Sequence, residues 1–301
     1  IYNFTGNSAH LLGYTKEINE RQLETRGDYC RPGDILGATG LEAAYEEFLR
    51  GQKGVEFAAV NSIGQRVARF NDGKSDVNAE DGFDLQLGVD IELQDYIEEL
   101  MKDYRGAVVV IDPSNGELLA LVSKPDYDLR LFSGRTPSKL YSQLLQDESK
   151  PLFNRAALTR YPPGSTWKML MAIAGLQEGI IDEHSTINCP GSFTFGGRTW
   201  KCHGAHGTTD VRKAIHASCN VFFYQLSLKL GIKKFTQYGQ MFGFGMKTGN
   251  AIADPPAQRG LLPSEEYFSK VYPRGWPKGS LVNLGIGQGE IDETPLQMAN
   301  A

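Results

Sequence analysis

The order of apolar and polar residues predicts short helices and strands in the first part of the chain. Gly40–Gly51 carries apolar residues at helical spacing between two glycines, which indicates an amphipathic helix. Apolar and polar residues alternate near Val55–Val60 and Gln65–Phe70, as they do in half-buried strands. His10–Tyr14 also predicts a short strand. The first part of the chain is therefore expected to mix helices and strands.

A polar segment, Asn71–Gly82, predicts a linker or an exposed loop after this first part. We therefore expect a small N-terminal module over residues 1–82 and a larger domain over residues 83–301. The larger domain opens with a helical pattern over Asp90–Tyr104. Four of its apolar residues are predicted to share one side of the helix: Ile91, Leu93, Ile97 and Leu100.

Two apolar runs, Ala107–Ile111 and Glu117–Val122, flank the turn signal Asp112–Gly116 and predict a β-hairpin. Apolar helices follow this hairpin along the chain. The order of elements predicts an α+β domain in which a mainly antiparallel sheet is covered by helices.

Composition narrows the class of protein. The 301 residues carry a formal net charge of −5 without a basic stripe, which argues against a general nucleic-acid binder. The sequence contains no run of eighteen apolar residues, so it predicts no membrane span. Its four cysteines are too few for a disulfide scaffold. Because the chain opens on Ile1 without a methionine or a signal peptide, we expect a fragment whose N-terminal membrane anchor is absent.

The stretch Tyr161–Lys168, Tyr-Pro-Pro-Gly-Ser-Thr-Trp-Lys, predicts a stiff turn leading into an apolar helix closed by Gly179. Ser165 is expected at the start of this helix, where free backbone N–H groups favour negative charge. Lys168 follows one helical turn later. A hydroxyl beside an amine in this arrangement is typical of an activated serine nucleophile. The alternative is a helix-capping serine followed by a surface lysine.

A second candidate stretch, Ser218–Asn220, precedes the apolar run Val221–Leu230. A loop of this kind places a hydroxyl and an amide where they can move a proton and hold a substrate amide. The alternative is that Ser218 and Asn220 are ordinary helix caps.

Taken together, Tyr161–Lys168 and Ser218–Asn220, each followed by an apolar helix, resemble active-site motifs of the penicillin-binding proteins and serine β-lactamases. The resemblance extends over almost the whole chain. Gly40–Gly51 is similar to the pedestal region of class B penicillin-binding proteins, and Asn283–Gly289 to their approach to the last active-site strand. Within class B the likeness is greatest to the elongation-specific transpeptidases, the penicillin-binding protein 2 group. The fold that this resemblance implies is a transpeptidase domain preceded by a non-catalytic pedestal module that resembles a dimerisation module.

The sequence departs from this family at its third motif, Lys-Thr/Ser-Gly. Lys247–Gly249 has those letters, but it follows the second motif too closely, whereas the family places its third motif after the segment that resembles Asn283–Gly289. We interpret Lys247–Gly249 as a chance match in a surface turn. The third motif is expected beyond Ala301, so the catalytic domain is expected to be truncated at its C-terminal side.

The resemblance implies an acyl transfer on peptidoglycan that needs no cofactor for catalysis. Ser165 would attack the D-Ala-D-Ala end of a stem peptide, Lys168 would take its proton, Ser218 would pass a proton to the leaving amine, and Asn220 would hold Lys168 and the substrate. β-Lactams would be inhibitors. By resemblance the partners are a membrane glycosyltransferase and elongation-complex proteins, with no nucleic acid, at the periplasmic face of the inner membrane.

Three alternative functions stay open at this stage. A serine β-lactamase and a β-lactam sensor domain share the first two motifs. A structural cell-wall scaffold that kept the fold without its activity is the third.

A cluster of metal-binding residue types surrounds the second motif. Cys189, Cys202, His206 and Cys219 follow the spacing Cys-x12-Cys-x3-His-x12-Cys, with Gly196-Gly197 as a tight turn. A hairpin around that turn would bring Cys189 beside Cys202, so we predict a structural zinc site of three thiolates and one imidazole. Some members of the penicillin-binding protein 2 group carry zinc near this loop. The alternatives are a Cys189–Cys202 disulfide and His203 in place of His206.

Overall fold

The computed structural model describes residues 7–26, 29–132, 136–249 and 259–301. The chain divides into two compact units, one of residues 1–103 and 117–152 and the other of residues 104–116 and 153–301. Within the described residues, no helix combines the length and the apolar character needed to cross a bilayer. The domain boundary that the sequence predicts near residue 83 remains a prediction.

The first unit consists of short helices and two-stranded antiparallel ladders. Thr15–Glu17 pairs with Ile35–Gly37, and Ala58–Val60 pairs with Arg66–Arg69, which confirms the two strands predicted on either side of residue 62. Its described helices are Ala9–Leu12, Glu20–Arg26, Gly40–Ala44, Glu46–Leu49, Ile91–Leu100 and Ser138–Gln146, with 3-10 turns at Phe70–Gly73 and Leu129–Phe132 and a further strand at Leu118–Lys124.

The prediction of a strand at His10–Tyr14 is wrong. Residues Ala9–Leu12 form one helical turn with Ala9, His10 and Leu11 all buried, and consecutive burial suits a helical turn better than an alternating strand. Gly13, at φ +77°, then redirects the chain, and a Cβ there would lie 1.8 Å from the carbonyl oxygen of Thr39. The strand begins only after this turn, at Thr15.

The helix Ile91–Leu100 begins at Asp90, whose side chain accepts hydrogen bonds from the backbone N–H groups of the first turn. Of the four apolar residues that were expected to share one side, Ile91 and Leu100 are exposed. The buried face instead centres on Gln94, which donates to the carbonyl oxygen of Leu121 and accepts from its N–H group. The pattern of apolar residues cannot predict a buried amide that pairs with the backbone of a strand.

The second unit carries the two helices that hold the candidate motifs, Trp167–Gln177 and Asn220–Met241. They pack closely because Gly175 has no side chain, and a Cβ at this position would lie 2.9 Å from Leu226. Its other described helices are Arg155–Leu158, Val211–His216, Glu265–Val271, Gly279–Leu284 and Pro295–Asn300, with a 3-10 turn at Gly164–Thr166. Its described strands are Gly106–Ile111, Ile187–Cys189, Ser192–Phe195, Arg198–Lys201 and Gly207–Thr209.

Around these two helices lies one apolar core. Met171 and Ala174 on the first helix and Phe222, Phe223 and Leu226 on the second are fully or almost fully buried. The helix after Asn220 runs on to Met241, with a break in its backbone geometry at Gly231. A rigid core of this kind fixes the start of each helix, and both candidate motifs stand at those starts.

Candidate active site

Backbone hydrogen bonds to residues distant in the chain hold the turn that carries Ser165. The N–H of Gly164 donates to the carbonyl oxygen of Gly287 at 2.8 Å. Tyr161 and Glu293 exchange two backbone hydrogen bonds of 3.0 and 2.9 Å. Ser165 then lies in the 3-10 turn Gly164–Thr166, directly before the helix Trp167–Gln177, and its side chain is exposed.

Gly287 positions this turn, a role that its residue type alone does not predict. It has φ +65°, and a Cβ added there would lie 2.4 Å from the carbonyl oxygen of Gly164 and 2.7 Å from Cβ of Trp167. Only glycine therefore allows the segment to approach the nucleophile turn so closely. The signal was present in the glycine-rich run Asn283–Gly289, but the sequence does not say what those glycines approach.

The second motif is a strained loop at the start of a helix. Ser218 has φ +49°, a left-handed conformation that non-glycine residues seldom adopt. Cys219 caps the helix, and Asn220 is its first residue. Strained residues of this kind concentrate at functional sites, where the surrounding structure holds them in place.

The structure brings the four predicted catalytic residues together. Lys168 is 2% exposed, and its Nζ donates to Oδ1 of Asn220 at 2.6 Å. It also donates to both Oγ and the carbonyl oxygen of Ser218, each at 2.9 Å. The hydroxyl of Ser218 lies 3.1 Å from the hydroxyl of Ser165. These side chains form one hydrogen-bonded array, which we call the catalytic array.

The array links Lys168 to Ser165 through Ser218. A hydroxyl both donates and accepts, so this contact can carry a proton from Ser165 to Ser218 while Ser218 passes its own proton to Lys168. Burial lowers the pKa of the Lys168 ammonium, and the nearby thiols of Cys202 and Cys219 oppose this only in part. A lowered pKa leaves more of the amine neutral and able to accept that proton.

The sequence motif Lys247–Gly249 lies in the segment that follows the long helix, and the Lys247 side chain is exposed. No hydrogen bond of the catalytic array involves it. Its interpretation as a chance match remains a prediction.

A second cluster lies directly behind the catalytic array. The ligand atoms of Cys189, Cys202, His206 and Cys219 all lie within 4.8 Å of one another. Nδ1 of His206 lies 3.5 Å from Sγ of Cys189 and 3.6 Å from Sγ of Cys202. All four residues predicted for a metal site are therefore brought together, whereas His203 is exposed and is not part of the cluster.

The strands that bring Cys189 and Cys202 together differ from those that the sequence predicted. The hairpin around Gly196-Gly197 spans Ser192–Lys201, and Cys202 follows it by donating its N–H to the carbonyl oxygen of Gly191. Cys189 instead belongs to a neighbouring ladder, where it faces Gly207. The cysteines are free thiols, so the disulfide alternative is not formed.

The two distances from Nδ1 of His206 to the cysteine sulfurs fit a tetrahedral zinc ion. With zinc–sulfur and zinc–nitrogen bonds of about 2.3 and 2.0 Å, a tetrahedral angle separates sulfur from nitrogen by about 3.5 Å. The distances of 3.5 and 3.6 Å from His206 to the two cysteines match this value. Three thiols and one imidazole would fill all four positions and leave none for a substrate, which is the structural type of site.

Cys219 and Cys202 connect the cysteine cluster to the catalytic array. Cys219 stands between Ser218 and Asn220 in the chain, and its side chain is completely buried. The backbone N–H of Asn220 donates to Sγ of Cys202 at 3.2 Å. The cluster therefore contacts the loop that presents Ser218 and Asn220.

A serine hydroxyl, a second hydroxyl and a buried amine at the starts of two packed helices match the active-site motifs of the penicillin-binding class. The family model of the penicillin-binding protein transpeptidase domain matches residues 106–301, and that of the penicillin-binding protein dimerisation domain matches residues 1–87. The chain belongs to the penicillin-binding protein transpeptidase family.

Individual relatives agree with this assignment. Peptidoglycan D,D-transpeptidase MrdA of Haemophilus influenzae is 37% identical over 100% of this chain and 46% of its own length. The structure of penicillin-binding protein 2 in complex with MreC from Helicobacter pylori is similar with a TM-score of 0.87 and 32% identity, covering 99% of this chain and 55% of that one. A peptidoglycan synthase complex that coordinates polymerization and crosslinking contains a chain similar with a TM-score of 0.81 and 31% identity, over 96% of this chain and 52% of that one. The chain thus spans about half the length of the relatives it matches.

Proposed function

We propose that this chain is part of a peptidoglycan D,D-transpeptidase that cross-links stem peptides during cell-wall elongation. The observation that carries the proposal is the hydrogen-bonded sequence from Ser165 through Ser218 to the buried amine of Lys168. It provides a nucleophile, a proton relay and a base in one connected unit. The similarity to transpeptidases along the whole chain supports the same activity.

Acylation begins with the attack of Ser165 Oγ on the carbonyl carbon of the penultimate D-alanine. The Ser165 proton moves to Ser218 as the Ser218 proton moves to Lys168, so Lys168 gains the proton that Ser165 loses. The backbone N–H of Ser165, at the start of its helix, stabilises the negative oxygen of the tetrahedral intermediate. When the peptide C–N bond breaks, Ser218 gives its proton to the departing D-alanine amine and takes one back from Lys168. An ester then remains on Ser165.

In the second step an amine of a neighbouring stem peptide attacks this ester. Its proton enters the array and returns to Ser165 Oγ as the ester bond breaks, which forms the cross-link and restores the enzyme. Asn220 accepts a hydrogen bond from Lys168 and so keeps the amine beside Ser218 throughout. We propose that its amide also aligns the substrate backbone.

Labelling of the full-length protein by a fluorescent penicillin tests the proposal. The wild-type protein should retain the label through denaturation, and Ser165→Ala should abolish labelling with an unchanged melting temperature. Ser269→Ala, which removes an exposed serine of the same unit, should label as the wild type does. Labelling that persists in Ser165→Ala would refute the assigned nucleophile.

The lifetime of the adduct separates the alternative functions. A transpeptidase should hold the penicilloyl group for many turnover times and release D-alanine from a D-Ala-D-Ala peptide. A β-lactamase would hydrolyse the adduct rapidly, a sensor domain would keep it without acting on peptides, and a scaffold would not form it.

We further infer that the protein works outside the cytoplasmic membrane with a glycosyltransferase and with other elongation proteins. This is supported by the relatives that are in complex with MreC and in a peptidoglycan synthase complex. The hairpin of Ala58–Val60 and Arg66–Arg69 supports a partner as well, since Val60, Val67 and Phe70 on or beside it are exposed. Val67→Asp should weaken binding to a purified MreC homologue without changing penicillin labelling.

We propose a structural zinc ion in the cluster of Cys189, Cys202, His206 and Cys219. The support is the agreement of the sulfur–nitrogen distances with tetrahedral geometry and the burial of Cys189 and Cys219. The ion would fix the loop of Ser218 and Asn220 through Cys219, and it would take no part in the chemistry.

A further inference from the structure

Tyr224 lies one helical turn beyond Asn220 on the long helix Asn220–Met241, and the acyl transfer described above gives it no role. Residues four positions apart lie on the same face of a helix, so both side chains can reach one neighbour. Tyr224 is 3% exposed, and its ring stacks on the ring of Phe193 in the hairpin Ser192–Lys201. The tyrosine is therefore held against this hairpin.

The side chains of Tyr224 and Asn220 meet at one backbone oxygen, the carbonyl oxygen of Lys201. The hydroxyl of Tyr224 donates to this oxygen at 3.1 Å, and Nδ2 of Asn220 donates to it at 3.4 Å. The next residue, Cys202, accepts a hydrogen bond from the backbone N–H of Asn220 at 3.2 Å. The end of the hairpin thus binds both the backbone and the side chain of Asn220, and Tyr224 binds the end of the hairpin.

The carbonyl group of Lys201 favours one orientation of the Asn220 amide. Oδ1 of Asn220 accepts from the buried ammonium of Lys168 at 2.6 Å, while Nδ2 donates to Lys201. In the reversed orientation the NH2 group would face an ammonium group and the amide oxygen would face a carbonyl oxygen. Both contacts would then be repulsive, because an ammonium only donates and a carbonyl only accepts. The Lys201 carbonyl therefore supports the orientation in which Asn220 holds Lys168.

From these contacts we infer that Tyr224 is a positioning residue for the acyl transfer. Its hydroxyl holds the Lys201 carbonyl, and this carbonyl orients the amide of Asn220. The amide in turn keeps Lys168 beside the relay hydroxyl of Ser218. Tyr224 acts through Asn220 and transfers no proton itself. The role rests on the proposed function, but the contacts behind it can be measured without the reaction.

Tyr224→Phe tests this role, because it keeps the buried ring and removes only the hydroxyl. Tyr238→Phe is the matched control. Tyr238 lies on the same helix and is 5% exposed, and its hydroxyl also donates at 3.1 Å, to a carboxylate oxygen of Glu178. Each variant therefore loses one buried tyrosine hydroxyl, and equal melting temperatures show that both are folded.

The first measurement is the second-order rate of penicillin acylation of the full-length protein. Tyr224→Phe should lower this rate by about fivefold or more, the factor that corresponds to one ordinary hydrogen bond. Tyr238→Phe should react as the wild type does. In protein that already carries Asn220→Ala, adding Tyr224→Phe should lower the rate by less than about twofold, because the group through which Tyr224 acts is gone. A tyrosine that only fills the core would lower the rate by the same factor in both backgrounds.

The second measurement follows the Asn220 amide itself and needs no reaction. In full-length protein labelled with 15N-asparagine, the side-chain NH2 signal of Asn220 is identified by its loss in Asn220→Ala. The exchange of these amide protons with water should be about fivefold faster or more in Tyr224→Phe, because the acceptor on Lys201 is no longer held. In Tyr238→Phe the exchange should match that of the wild type.

Three results would overturn the inference. The first is an acylation rate of Tyr224→Phe equal to that of the wild type. The second is the same loss of rate from Tyr224→Phe with and without Asn220→Ala. The third is unchanged exchange of the Asn220 amide protons in Tyr224→Phe. A folded wild-type protein that forms no penicillin adduct would instead refute the proposed function, and the exchange measurement would still decide whether Tyr224 positions Asn220.

Discussion

The hydroxyl of Ser218 lies 3.1 Å from the hydroxyl of Ser165, and the same oxygen accepts a hydrogen bond from Lys168. Ser218 is thus the connection between the nucleophile and the buried amine. Its backbone, at φ +49°, is strained to present this hydroxyl. In the proposed mechanism this arrangement would make Ser218 part of the activation of Ser165 as well as of the departure of the leaving group.

Removal of the Ser218 hydroxyl should therefore slow acylation itself. We expect Ser218→Ala to lower the second-order rate of penicillin acylation by about 10²-fold or more, the usual contribution of a positioned proton-transfer group. Ser218→Gly is the matched control for the backbone, because glycine adopts positive φ without strain. Both variants should be slow; recovery of the rate in Ser218→Gly would show that backbone strain, and not the hydroxyl, was the cause.

Lys247 should contribute little to acylation. Because it is exposed and outside the catalytic array, Lys247→Ala should change the acylation rate by less than about threefold. Lys168→Ala, which removes the buried amine, is the positive control and should lower the rate by about 10²-fold or more. A loss as large in Lys247→Ala as in Lys168→Ala would identify Lys247 as the third motif after all.

Zinc removal should destabilise the protein and slow acylation together. We expect about one zinc per chain by elemental analysis, and Cys189→Ser should lose the metal and lower the melting temperature by about 5 °C or more. Cys30→Ser changes a buried cysteine outside the cluster and should keep the metal. Protein purified without chelator that contains no zinc and carries a Cys189–Cys202 disulfide would contradict the site.

Glu293 should make stability depend on pH. Burial raises the pKa of this carboxyl from 4.5 to about 8; Asp292 adds to the rise, whereas the N–H of Gly245 and the charge of Arg160 oppose it. Between these two pKa values the native state binds more protons than the unfolded state, so the free energy of unfolding falls as pH rises from 4.5 through 8.

Glu293→Gln cannot ionise and should escape this loss. Relative to wild type, its melting temperature should be higher by about 3 °C or more at pH 9 than at pH 5. Glu265→Gln, which changes an exposed carboxylate, is the control and should show no such trend. A difference between Glu293→Gln and wild type that is the same at both pH values would count against the buried, protonated carboxyl.

Local chemistry explains which features the sequence could reveal. The sequence could predict candidate site residues where a short motif at a helix start determines their spacing. These are Ser165, Lys168, Ser218 and Asn220. The four cluster residues were predictable from residue type and spacing. The roles of Gln94 and Gly287 could not be predicted, because both depend on partners distant in the chain. Gln94 pairs with the backbone of a strand, and Gly287 lies against Gly164. The strand predicted at His10–Tyr14 failed for a similar reason, because the contact of Gly13 with Thr39 decides the local conformation.

The most direct test of the central claim is mass spectrometry of the full-length protein after incubation with benzylpenicillin. We predict a single adduct with the mass of one intact penicillin, located by proteolysis on the peptide that contains Ser165. The adduct should be absent from Ser165→Ala and should form at the wild-type rate in Ser269→Ala. An adduct on any other residue, or none in a folded wild-type protein, would contradict the account.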